Sequence, residues 1–82
     1  MHEVRPPENA FPMYVITGPN TSDFPGQYTV RRHWIGGGLI YVEIEAWGHK
    51  PTLEEARSLV PAGKTRLDRA PGDDPVIVES WV

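Results

Sequence analysis

Three histidines, His2, His33 and His49, are the first candidates for metal binding or acid–base work. Structural zinc sites need ligands at short, recurring spacing and usually draw on cysteine. These histidines lie far apart in the chain, which contains no cysteine. The expectation is therefore no metal, no cofactor, no disulfide and no thiol nucleophile. Asp73-Asp74 could serve as a carboxylate pair for acid–base chemistry or a hard cation. Placed just before Pro75, they read more simply as turn formers whose side chains satisfy local backbone donors. Ser22, Ser58 and Ser80 have no histidine–acid context to activate them. Gly36-Gly37-Gly38 lacks the Lys-Ser/Thr that a phosphate cradle requires, and reads as a hairpin loop. No catalytic constellation emerges, so the chain is expected not to be an enzyme.

The remaining chemistry is recognition. Arg31 and Arg32, followed by Trp34, place guanidinium groups beside an indole, a combination common at binding hot spots. Arg32 has two readings. Its stem could lie over Trp34 while its charge meets a carboxylate such as Asp73 or Asp74. Alternatively, it could be held out for a partner.

The elements that position these residues follow from periodicity. Phe11 to Thr17 is rich in β-branched and aromatic residues and reads as a strand. Gly18 to Gly26 is loop. Gln27 to Ile35 and Leu39 to Trp47 read as a hairpin around the three glycines, pairing Ile35 with Leu39. That register sets Trp34, Arg32, Val30 and Tyr28 opposite Ile40, Val42, Ile44 and Ala46 on an apolar face. On the other face Arg31 opposes Glu43, His33 opposes Tyr41, and Thr29 opposes Glu45. Thr52 and Glu55 form a capping signal for a helix carrying an apolar stripe of Leu53, Ala56, Leu59 and Val60, ended by Pro61-Ala62-Gly63. Thr65 to Arg69 reads as a short strand and Val76 to Val82 as a last one. The expected fold is α+β: one antiparallel-rich sheet of about five strands (β-β-β-α-β-β) with one helix on one face.

Length and charge limit what this fold can serve. The chain has 82 residues and 39% hydrophobic content, enough for one modest core in residues 11–82. Residues 1–10, with Pro6-Pro7, read as a flexible amino-terminal arm. No signal-like or membrane-spanning apolar run is visible, and with cysteine absent a cytoplasmic location is expected. The formal net charge of −3 leans against nucleic acid, whose binders usually carry a basic excess.

Several pieces recur together in one pattern: Tyr14-Val15-Ile16, Asp23-Phe24-Pro25, Val30-Arg31-Arg32 before Trp34, Leu53-Glu54-Glu55-Ala56-Arg57, and Asp73-Asp74-Pro75-Val76-Ile77-Val78-Glu79 before Trp81. In this combination the chain resembles short uncharacterised bacterial proteins, many of them phage- or prophage-associated. The resemblance implies a bacterial or phage origin and carries no activity.

The functional expectation is a small protein-interaction module acting on a host or phage protein, or on a second copy of itself. Its surface would be the hairpin face away from the helix, with Leu39, Tyr41 and Trp47 as apolar anchors and Arg31 and His33 beside them. Arg32 and Trp34 are the secondary candidates. The alternative is a binder of single-stranded nucleic acid, which would stack bases on aromatics of an open sheet. Glu43 and Glu45 stand against that reading.

Overall fold

Aromatic and β-branched residues make Phe11–Thr17 the strand β1, and Tyr14 and Ile16 on its helix side are buried. The computed structural model describes residues 9–19, 21–22, 24–43 and 45–82, with the side chain of Leu39 outside that set. Residues 1–8, most of the expected amino-terminal arm, lie outside the described residues.

Among the described residues six strands form a single antiparallel sheet. After β1 come β2 (Tyr28–Gly36), β3 (Leu39–Val42) and β4 (Gly48–Lys50). The helix α1 (Leu53–Ser58) follows, then β5 (Arg66–Asp68) and β6 (Ile77–Trp81). The strand order is β3-β2-β1-β6-β5, with β4 pairing a different stretch of β2 from the one β3 pairs. The α+β architecture expected from periodicity is the one observed. One element differs, because the strand expected over Leu39 to Trp47 ends at Val42 and pairing resumes only at Gly48.

The helix packs on one face of the sheet, across β4 and β2. Thr52 caps it, its hydroxyl accepting from the Glu55 amide at 3.2 Å and donating to the Glu55 carboxylate at 2.9 Å. Ala56 is buried against Tyr14, Ile16 and Val30, with Leu53, Leu59 and Val60 around it. All four stripe residues therefore face the core. Leu59 comes close to the sheet because β4 starts with glycine; a Cβ on Gly48 would sit 2.7 Å from a Leu59 methyl.

The hairpin register differs from expectation by one residue. Gly37 and Gly38, at φ 59° and 74°, form a two-residue connection, and Gly36 belongs to the strand. Positive φ at both central positions is what a tight hairpin turn with the native strand twist demands, and glycine supplies it without strain. Ile35 therefore pairs with Ile40, Trp34 with Tyr41, and His33 with Val42. Since side chains alternate, a one-residue shift moves every side chain of β3 to the other face.

Candidate functional site

The register correction redistributes the candidate residues over two faces. On the helix side lie Arg32 and Trp34 from β2, Tyr41 from β3, and Glu43 just after it, all in line with buried Tyr14 and Val30. Glu43 does not oppose Arg31; its amide donates to the Arg32 carbonyl at 3.2 Å. Its carboxylate accepts from the Arg32 guanidinium and from the Trp34 indole, the latter at 2.6 Å. The carboxylate that meets Arg32 is thus Glu43 and neither Asp73 nor Asp74. That hydrogen bond is the main reason the Arg32 pKa is raised and the Glu43 pKa lowered, with burial opposing both shifts.

Trp47 lies over the same face. The Trp47 amide donates to the Val30 carbonyl at 2.8 Å, and its indole N–H donates to the Leu59 carbonyl at the helix end, also at 2.8 Å. Its ring meets Tyr14 edge-on at 5.3 Å. The Arg32 guanidinium lies 4.6 Å from the Trp47 ring centre and 5.0 Å from that of Trp34. Trp47 keeps 41% of its surface exposed, yet these contacts tie it to the core edge. The expected grouping of Tyr41 and Trp47 with Arg31 and His33 is therefore overturned. The side chain of Leu39 lies outside the described residues.

Arg31 and His33 do lie on the face away from the helix, together with Phe11, Met13, Val15 and Ile35. Across the hairpin they are joined by Ile40 and Val42, which the expected register had placed on the helix side. The rows run Phe11–Ile35–Ile40 and Met13–His33–Val42 across three strands. Phe11 is 50% exposed, Ile40 66% and Val42 47%. One end of this face is covered, where Phe24 stacks on His49 at 4.1 Å over buried Thr29. At the opposite end, no described residue covers Phe11 and Ile40.

Alongside this band a cavity of about 290 Å³ opens between the sheet and the loop before β6, lined by Met13, Val15, His33, Leu67, Ile77 and Asp73. Its walls are mostly apolar. Burial, reinforced by the positive charge of Arg31, lowers the His33 pKa, so the imidazole stays neutral near pH 7. The loop is shaped by the two aspartates in the expected way. Asp73 accepts from the Ala70 amide at 2.9 Å and Asp74 from the Val76 amide at 3.0 Å. Among the described residues no cluster of three or more histidine and acidic side chains is arranged to hold a metal ion. No described helix is long and apolar enough to cross a membrane.

Sequence reasoning missed Phe11, Met13, Ile35, Ile40, Val42 and Leu67 as surface residues. The three glycines alone do not fix the turn length, and it is the observed two-residue turn at Gly37-Gly38 that places Ile40 and Val42 on this face. No protein-family model matches this chain, and neither a curated protein nor a solved structure does.

Proposed function

We propose that this chain is a small non-enzymatic protein-binding module whose docking surface is the sheet face away from the helix. The observation that carries this reading is the exposed band of Phe11, Ile40 and Val42 beside the apolar cavity. Contiguous apolar surface on a small domain marks an interaction site more often than idle surface. The band offers flat aliphatic and aromatic contact, the cavity accepts one apolar side chain, and Arg31, His33 and Asp73 supply polar definition around them. The resemblance to phage-associated bacterial proteins makes a host or phage protein the partner class.

Single-stranded nucleic acid is the weaker reading. Base stacking beside a free guanidinium is what such a site needs, but Arg32 is already shared between Glu43 and two indoles.

The test is capture by the immobilised protein from bacterial lysate, with Phe11→Asp and Leu67→Asp as matched baits. Both positions are exposed, so the variants should keep the wild-type melting temperature while losing the captured protein. Capture that survives both substitutions overturns the proposal. An oligonucleotide titration at low salt, where electrostatic binding is strongest, completes it. Micromolar, salt-sensitive affinity there would promote the second reading.

A further inference from the structure

We propose that β3 is a self-pairing edge: two copies of this chain align their β3 strands antiparallel about a two-fold axis at Tyr41, joining two sheets into one. The inference starts from backbone direction. Because the Glu43 amide bonds to the Arg32 carbonyl, antiparallel alternation turns the Leu39 and Tyr41 backbones toward β2. The amides and carbonyls of Ile40 and Val42 then point away from the sheet. β3 ends the strand order, with no strand beyond it among the described residues.

Edges of this kind are normally guarded by charge, proline or a bulge. The sheet's other edge obeys that rule, since β5 reads Arg66-Leu67-Asp68 and Arg66 and Asp68 pair with each other at 2.9 Å. β3 reads Leu-Ile-Tyr-Val, with no charge and no proline. The contrast also selects the occupant. Pairing β3 of one copy with β5 of another would propagate without closing, and the ion pair on β5 disfavours it. Pairing β3 with β3 closes after two copies.

The register follows from charge and hydrogen bonding. Centred on Tyr41, the antiparallel pair sets Ile40 opposite Val42 of the second copy, and Val42 opposite its Ile40. Those are the residues with outward backbone groups, so the strands exchange four hydrogen bonds. The acidic end, Glu43 and Glu45, meets the Gly37-Gly38 end of the second copy, and like charges stay apart. Ile40 and Val42 of both copies then lie side by side on the face away from the helices. Standard protein interfaces bury roughly 1,200–2,000 Å² in total. A four-residue strand pair covers less, which places this dimer in the weak, concentration-dependent class.

Sedimentation velocity of the full chain over roughly a hundredfold range of concentration tests the proposal. The wild type should shift from monomer to dimer, and the Ile40 and Val42 amides should exchange hydrogen more slowly as it does. Val42→Pro removes an outward amide that the chain itself does not use, and Ile40→Lys sets a charge on the edge. Each should stay monomeric with its circular dichroism spectrum retained. Should Val42→Pro fail to fold, Ile40→Lys decides alone. A wild type that stays monomeric throughout, or a dimer that persists in Ile40→Lys, overturns the inference. Failure of this proposal is separable from failure of the docking face. Leu67→Asp, on the opposite sheet edge from β3, should abolish capture while leaving the dimer intact, and capture by a wild type that stays monomeric would sink the dimer alone.

Discussion

Replacing Glu79 by glutamine should expose how the helix is tied to the sheet. Glu79 is a buried carboxylate, 2% exposed, in the middle of β6. It accepts from both Nε and Nη2 of Arg57 on α1, at 2.9 and 2.8 Å, and from the Trp81 indole at 2.8 Å. Arg66 approaches it at 3.6 Å. Hydrogen bonds to charged groups contribute about 1.5–3 kcal/mol and neutral ones about 1 kcal/mol. Glutamine keeps the shape and one acceptor but turns a donor toward the guanidinium. Arg57 is 39% exposed, so water screens part of its interaction and the lower end of the range applies. The expected loss at pH 7 is about 2 kcal/mol, a fall in Tm of roughly 8–16 °C for a domain of this size. The hydrogen bond from Arg57 is the main cause that holds the Glu79 pKa below the ordinary carboxylate range. A folded-state pKa below the unfolded value contributes stability that is complete above the unfolded pKa and is lost as pH falls through the folded one. Glutamine mimics the protonated acid, so the gap between wild type and variant should close on acidification below the ordinary carboxylate pKa. Thermal melts of both proteins between pH 7 and pH 2.5 provide the assay. A loss that is constant with pH would show that packing, and not the charge, is what Glu79 supplies. A loss below ~0.5 kcal/mol at pH 7 would show that the pair is fully screened.

Two further substitutions probe local geometry. Thr52→Ala removes the side-chain acceptor for the Glu55 amide and should cost about 1 kcal/mol, read as a lower urea midpoint; an unchanged midpoint would refute the cap's role. Gly38→Val forces a β-branched residue to φ 74° and should cost about 2 kcal/mol, whereas Gly37→Asn, which the same turn tolerates, should stay within ~0.5 kcal/mol of wild type; equal midpoints for the two variants would refute the two-residue turn.

Much of the fold was legible because its determinants are local. The boundaries of β1, the Thr52 cap and the Leu53-Ala56-Leu59-Val60 stripe each rest on residues within a few positions of one another. The role of Asp73-Asp74 was legible for the same reason, since both side chains bond to amides two or three residues away in sequence. The candidate surface was less legible, because the face of every β3 side chain depends on one count. Three consecutive glycines allow a two- or a three-residue turn, and the charge pattern does not decide between them. Glu43 can face Arg31 in one register and Arg32 in the other. A cross-strand ion pair supports both equally.

What separates the registers is the covering power of the helix. α1 has only six residues, about 9 Å at the helical rise, so it shields Ile16 and Val30 but cannot reach the far half of β2. Something else must cover that half. Trp34, Tyr41 and Trp47 are large enough, and the observed register brings them together around Arg32 and Glu43. A charged pair on the core side is therefore consistent with burial: it lies at the margin, about a quarter exposed, saturated by an indole donor and two aromatic faces. The chapter of bulk spent on that side is subtracted from the other. With the three largest hairpin aromatics turned toward the helix, only Phe11, Ile35, Ile40 and Val42 remain for the opposite face, and no second layer covers their end of it among the described residues. The bare face and the neutral edge of β3 both follow from the two-residue turn at Gly37-Gly38.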